Sequence, residues 1–199
     1  MLTIFLKKAG IAGAGVAIGA SGASGILAKM INGTSGQLIG NEEISFYGEH
    51  QSGIATPVQK NVYFAVLDLH STDKEEIKQM FKDWTDYSEK LMKGELVAPE
   101  LANHLVPPLD TGETVGLNPY RLTITFGISP SFLDKLKMDN KKMEEFKDLP
   151  HFPRDQIKDK YKGGDICIQA CADDAQVAFH AVRNLVRKGR ALITLKWTQ

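Results

Sequence analysis

The sequence predicts an α+β fold, in which two helices cover one face of a four-stranded antiparallel sheet in the order βαββαβ. Two segments carry apolar residues at steps of three and four, the period of an amphipathic helix. Four shorter segments around them are rich in β-branched and aromatic residues, as strands are. This order is the ferredoxin-like arrangement, which hosts many unrelated functions. The function therefore has to be inferred from particular residues.

The first predicted strand, residues 62–69 (VYFAVLDL), is apolar on both of its alternating faces. The first three even-numbered positions carry Val, Phe and Val, and the odd-numbered positions carry Tyr, Ala, Leu and Leu. A strand that is apolar on both faces is usually covered on both. Since the two helices cover only one face, we expect a second layer against the other.

A helix is predicted directly after this strand. The run Thr72-Asp73-Lys74-Glu75 has the spacing of a capping box, and Gly94 marks the expected end. We interpret the apolar stripe of this helix as core packing rather than as a cofactor site; it consists of Ile77, Met80, Phe81, Trp84, Tyr87 and Leu91.

The remaining elements are predicted from the same two periods. In chain order they are a strand over 121–128, a short helical piece near 131–136, a strand over 165–171, a helix that Asp173-Asp174-Ala175-Gln176 caps and Gly189 ends, and a strand over 191–197. The apolar stripe of the second helix is predicted to face the sheet and comprises Val177, Ala178, Ala181, Val182, Leu185 and Val186.

The chain is predicted to have three parts. In residues 1–36, Lys7 and Lys8 precede a bland run of Ala, Gly, Ile and Val, which is typical of an export signal and its tail. Glycine recurs too often in this run for a good membrane span. Residues 37–60 are predicted to be a linker and an entry segment, and residues 61–199 the ferredoxin-like domain.

Charge balance and cysteine spacing argue against several functional classes. Lys+Arg and Asp+Glu each number 24, so the chain lacks the positive excess of a nucleic-acid-binding domain. Cys167 and Cys171 lie four apart in a predicted strand, which separates their Cα atoms by about 13 Å. A disulfide needs less than about 7 Å. We interpret both cysteines as small core residues, and no metal site is predicted because no further ligand lies at a suitable spacing.

The sequence contains no complete catalytic constellation, such as a phosphate-binding glycine loop, a nucleophile elbow or an HExxH pair. His50 and Gln51 stand out, because they lie in a polar run between the apolar residues Tyr47 and Ile54, before the first strand. Such a pair lines a cavity or fixes the entry into the strand by hydrogen bonds, and the residues alone favour the second. Each histidine is otherwise expected to be structural: His50, His70, His104, His151 and His180.

Two long motifs identify a family. Residues 48–59 read GEHQSGIATPVQ, and residues 163–185 read GGDICIQACADDAQVAFHAVRNL. Both resemble, in content and order, segments of the dye-decolourising-type (DyP-type) haem peroxidases, and the resemblance covers about residues 40–199. The signal-like start is similar to the exported EfeB-type deferrochelatase/peroxidase branch. The arginine pair that a twin-arginine (Tat) signal would place at Leu2 and Thr3 is absent. This absence argues against the Tat route more than against export itself.

The resemblance implies an exported enzyme that uses haem b and hydrogen peroxide to oxidise dyes, phenols or porphyrins, with iron release from haem as a further role. The family has two ferredoxin-like halves with facing sheets, and haem lies in the carboxy-terminal half. No residue of this chain matches the family's GxxDG motif, proximal His or distal Arg. No catalytic, haem-binding or metal residue is therefore assigned. His50 and Gln51 are expected to serve folding and the domain interface.

The chain is accordingly expected to be an amino-terminal half, inactive alone, whose partner is the missing carboxy-terminal half; the complete protein is expected to be a homo-oligomer. Two other functions stay open. A non-catalytic ferredoxin-like module would dock a partner on its open sheet face. A haem-degrading monooxygenase of the dimeric α+β barrel type would need a ligating histidine within this domain. His180 matches a family position that is not the ligand, and we interpret it as structural.

Overall fold

A computed structural model describes residues 42–99, 105–138 and 143–199. Their elements are, in order, β1 (Asn61–Leu69), α1 (Lys74–Met92), β2 (Thr123–Ile128), α2 (Pro130–Lys135), a 3-10 turn (Asp159–Tyr161), β3 (Ile166–Ala172), α3 (Ala175–Gly189) and β4 (Ile193–Thr198). The predicted βαββαβ order is confirmed, with α2 and the 3-10 turn between β2 and β3. Among the described helices, none is both long and apolar enough to cross a membrane. The export segment predicted over residues 1–36 lies outside the described residues.

The four strands form one antiparallel sheet in the order β2-β3-β1-β4, which is the ferredoxin-like topology. β1 is a central strand, with Ala65 opposite Ile168 of β3 and Leu69 opposite Ile193 of β4. Its pairing with β4 shifts register between Val66 and Leu67. Both helices lie on one side of this sheet, where the odd-numbered residues of β1 are buried in the core.

Helix α1 begins one residue later than the capping-box spacing predicts. Asp73 is the N-cap, and its carboxylate accepts hydrogen bonds from the backbone N–H groups of Glu75 and Glu76, at 2.8 and 3.1 Å. The predicted apolar stripe packs in the core. Trp84 is fully buried there, its Nε1 donates to the carbonyl of Leu185 at 2.8 Å, and its ring stacks on Phe126. The stripe is core packing, as predicted.

Helix α3 is capped by Asp174, whose side chain accepts from the backbone N–H groups of Gln176 and Val177. Gly189 is the last residue of this helix rather than a residue beyond it. A Cβ at Gly189 would lie 2.9 Å from Ile193 Cδ1 and 3.0 Å from the Trp84 ring. The glycine is therefore needed for close packing between α3, α1 and β4.

Two boundaries differ from the sequence-based prediction for a physical reason. β2 starts at Thr123 rather than at residue 121, because Tyr120 and Arg121 have left-handed backbone angles, with φ of 47° and 56°. Part of the predicted linker belongs to the fold: Ile44 and Phe46 pack against the core, and the carbonyl of Glu42 accepts from the Arg121 N–H at 2.8 Å.

Candidate functional site

The sheet face opposite α1 and α3, called the open face below, is apolar over the first part of β1 and at Trp197 of β4, and the Asp68–Lys196 ion pair lies further along β1. Val62, Phe64 and Val66 project from β1 on this side, alternating with the residues buried under the helices. Val62 is 58% exposed, and Phe64 packs against Trp197 of β4 with 5.7 Å between the ring centroids. The second apolar face that the sequence of β1 predicts is thus present. The 3-10 turn contacts this face at β4, where Tyr161 packs edge-on against Trp197 with 5.6 Å between the ring centroids.

The other half of the open face, along β2 and β3, is more polar. It presents Thr123 and Thr125 from β2 and Cys167, Gln169 and Cys171 from β3. Both cysteines are unpaired thiols and half-buried, and burial raises the pKa of each. The prediction that they are core residues is therefore wrong. The isoleucines and alanines of β3 take the buried side, and both cysteines share the other side with the exposed Gln169.

The entry segment that contains His50 and Gln51 contacts the polar half of the open face. Gly53 has a φ of 95°, and a Cβ there would lie 3.2 Å from the hydroxyl of Thr125. The side chains of His50 and Gln51 are themselves exposed. The carbonyl of Gln51 accepts from the N–H of Ile54 in a turn. Among the described residues, neither side chain makes a hydrogen bond to the strand.

A different set of residues fixes the entry into the sheet. Gln59 Nε2 donates to the carbonyl of Arg121 and to the hydroxyl of Thr123, both at 3.0 Å. Arg121 donates to Asp173 at 3.1 Å and to the carbonyl of Pro57 at 2.5 Å. The Asp173 side chain is almost fully buried and also accepts from the Lys60 N–H. The sequence identified Asp173 only as a helix cap. The contact with Arg121 spans 52 residues, so local spacing could not have revealed it.

The Gly163-Gly164-Asp165 motif closes one end of the sheet. Gly164 has a φ of 113°, and a Cβ there would come within 2.1 Å of Val66 Cγ1, so only glycine can cross the open face at this point. The buried Asp165 carboxylate accepts from Ser131 and Lys135 at 2.6 Å and from the Leu69 N–H at 2.7 Å. Burial opposes its ionisation, but these hydrogen bonds prevail and hold the pKa of Asp165 below its usual range.

His180 lies in a buried polar network between α3 and the loop that precedes β2. Its ring is 1% exposed; Nδ1 pairs with Glu113 at 2.8 Å, and Nε2 lies 3.6 Å from Asp110. Asn184, one turn further along α3, binds the backbone N–H and the hydroxyl of Thr111. Burial opposes the ionisation of Glu113, whereas hydrogen bonds from His180 and Thr111 lower its pKa. The structural interpretation of His180 agrees with this enclosed position.

The described histidines do not fit the role of an axial haem ligand, which needs a free ring nitrogen in a sheltered pocket. Both ring nitrogens of His180 face carboxylates. His50, His70 and His151 are exposed, and His104 lies outside the described residues. No group of three metal-ligating side chains occurs in the part of the chain that the structure describes. The open face is the feature best suited to a function, and its chemistry is that of a packing surface.

Comparison with known proteins identifies the family. Residues 51–199 match the model of the amino-terminal region of DyP-type peroxidases. The deferrochelatase of Escherichia coli (strain K12) is 31% identical over 159 residues, which cover 79% of this chain and 37% of that protein. The chain spans about two fifths of the length of the curated relatives it matches.

Solved structures give the same result. A DyP-type peroxidase from Streptomyces coelicolor superposes with a TM-score of 0.73 at 30% identity, covering 83% of this chain and 43% of that one. A DyP-type peroxidase from Cellulomonas bogoriensis gives 0.68 at 31% identity, with the same coverages. The family match covers most of the chain, including both motifs from Gln51 onward. The chain therefore belongs to the DyP-type peroxidase family, and the part it contains is the amino-terminal one.

Proposed function

We propose that this chain forms one half of an exported haem b-dependent peroxidase and deferrochelatase, and that its open face packs against a carboxy-terminal haem-binding half. The observation that carries the proposal is the open face itself, with Val62, Phe64 and Trp197 at its apolar end. Large exposed apolar patches on soluble proteins mark interaction surfaces. Sheets that pack face to face interdigitate their inner side chains about 10 Å apart, and a second sheet fits this surface.

Within the complete protein, this half would hold its partner rather than carry out the reaction. Haem, when bound to the other half, would supply the chemistry with hydrogen peroxide and take electrons from a dye, phenol or porphyrin. The residues of this chain would exclude water from the interface through β1 and β4, and would offer Thr125 and Gln169 as hydrogen-bonding groups along β2 and β3. The complete protein is proposed to be a homo-oligomer.

The test begins with the DNA beyond codon 199, where we expect a segment that encodes the GxxDG motif and the proximal histidine. The chain and that segment are purified separately and mixed with haem. We expect neither a histidine-type Soret band nor dye oxidation by hydrogen peroxide from the chain alone, and both from the mixture. Val62→Arg places a charge on the open face and should prevent assembly, whereas Val58→Arg, at a 93% exposed position outside the sheet, should not.

Two results would contradict the proposal. A one-to-one histidine-type haem spectrum from the chain alone, lost in His50→Ala or His180→Ala, would favour a single-domain monooxygenase. Assembly that is insensitive to Val62→Arg would mean that the open face is not the interface. The non-catalytic module uses the same face, and it is favoured if the two halves assemble through that face but show no peroxidase activity.

Export is the second component of the proposal, and it rests on residues 1–36, where Lys7 and Lys8 precede a Gly/Ala-rich run. The full chain and a variant without residues 1–36 are expressed in the source cells and located by fractionation. We expect the full chain outside the cytoplasm and the shortened one inside it, with the same melting temperature for the purified domain. Equal distribution of the two would refute export by this segment.

A further inference from the structure

A groove lies on the helix side of the sheet, between α3 and the edge strand β4. Helix α3 contacts β1 and β3 more extensively than β4, so it leaves the inner side of β4 partly uncovered and Leu195 46% exposed. The groove has a volume of about 540 Å³, within the range typical of small-molecule sites. Its walls are mainly apolar and include Tyr63, Phe179, Val182, Val186 and Leu195.

Three arginines line the same groove: Arg183, Arg187 and Arg190. Arg183 is already engaged, since its guanidinium pairs with Glu113 at 3.0 Å and lies over the Phe179 ring. Arg187 and Arg190 have no carboxylate partner among the described residues. The carboxyl end of α3 offsets part of their charge, but like charges one turn apart repel each other. The groove therefore combines an apolar floor with two cations that no carboxylate of the described residues pairs with.

We infer that this groove binds an amphipathic carboxylate, with its hydrocarbon chain on the apolar floor and its head group between Arg187 and Arg190. A guanidinium binds a carboxylate through two parallel hydrogen bonds, which a neutral alcohol cannot accept in the same way. The aliphatic walls formed by Val182, Val186 and Leu195 suit an unbranched chain, and the hydroxyl of Thr198 adds a donor at the groove. The site lies on the sheet face opposite the open face, so the inference does not depend on the proposed function.

The experiment is a calorimetric titration of the purified chain with dodecanoate below its micelle concentration, compared with dodecanol and dodecyltrimethylammonium. We expect dodecanoate to bind with one-to-one stoichiometry and at least tenfold more tightly than the other two. The double variant Arg187→Gln/Arg190→Gln should weaken dodecanoate at least tenfold and leave dodecanol unchanged. The matched control is Arg154→Gln, an exposed arginine outside the groove, which should bind as the unchanged chain does.

Two more variants separate the groove from the open face. Val62→Arg alters the open face only, and we expect it to bind dodecanoate normally; Leu195→Asp alters the groove floor and should bind it at least tenfold more weakly. Circular dichroism establishes that each variant is folded. Equal affinity for all three ligands, dodecanoate binding that survives the double arginine substitution, or loss of binding in Val62→Arg would each overturn the inference.

Discussion

Asp165→Asn tests whether the buried carboxylate at the end of the sheet stabilises the fold as an ion. The aspartate accepts three hydrogen bonds, from Ser131, Lys135 and the backbone of Leu69. Asparagine keeps one acceptor oxygen, but it replaces the other with an NH₂ group, which cannot accept a hydrogen bond from these donors. Breaking a buried ion pair costs about 3–5 kcal/mol, and leaving one buried donor unsatisfied costs about 1–3 kcal/mol. Lys135 is 42% exposed and stays solvated, so we expect a total loss of about 3 kcal/mol.

The pH dependence distinguishes a charge effect from a packing effect. The pKa of Asp165 is lower in the folded chain than in the unfolded one, so its contribution is fully present above the unfolded value of about 3.9. It is lost as the pH falls through the folded pKa. The difference in unfolding free energy between the chain and Asp165→Asn should therefore be largest near pH 7 and shrink below about pH 4.

Urea unfolding at pH 7 and at pH 3 measures this difference. At pH 7 a loss of about 3 kcal/mol corresponds to a melting temperature lower by about 6–12 °C for a domain of this size. The control is Asp159→Asn, which removes an exposed pair with Lys162 and should leave stability unchanged. The reasoning is refuted if Asp165→Asn is as stable as the unchanged chain at pH 7, or if the difference is the same at both pH values.

Three further predictions concern two packing contacts, each compared with a matched variant, and the association of the open face. Gly164→Ala should destabilise by about 3 kcal/mol in urea unfolding, since it adds a clash with Val66 to left-handed strain, whereas Gly112→Ala, with a φ of 76° and open space around it, should cost about 1 kcal/mol. Trp84→Phe should cost about 2–3 kcal/mol, because it opens a cavity and leaves the Leu185 carbonyl without its donor. Trp197→Phe should cost less, because the indole N–H of Trp197 has no hydrogen-bond partner among the described residues; equal losses for the two tryptophans would contradict this. Val62→Lys should increase the monomer fraction of the isolated chain in sedimentation at micromolar concentration, and an unchanged fraction would mean that the open face does not drive association.

The fold could be predicted from the sequence because each element carries its own period. The stripe of α1 and the alternation of β2 specify which side chains meet in the core, and the structure places them there. The alternation of β3 is equally clear: it reads ICIQACA, and the polar Gln169 shares a face with Cys167 and Cys171, opposite the two isoleucines. The core interpretation of the cysteines rested on residue type and did not use this alternation, which places both thiols on the less buried face.

The hydrogen bonds that fix the entry into the sheet could not be predicted from the sequence, for a different reason. Gln59 and Arg121 meet across more than 60 residues, and their geometry depends on the left-handed turn at Tyr120. The groove beside β4 was also missed. It arises from the path of α3 across the sheet, and a helical stripe predicts which residues are buried but not which strand is left uncovered.

The residues that identified the family also show why it could be identified without a catalytic site. In the motif over 163–185, Gly164 crosses Val66, Asp165 joins three elements, and Asp173 secures the strand entry. His180 is enclosed between two carboxylates. Each of these residues makes a buried contact that a substitution would break, so the motif specifies the architecture of the domain. A signature of this kind identifies the fold, and the chemistry has to be argued from a site.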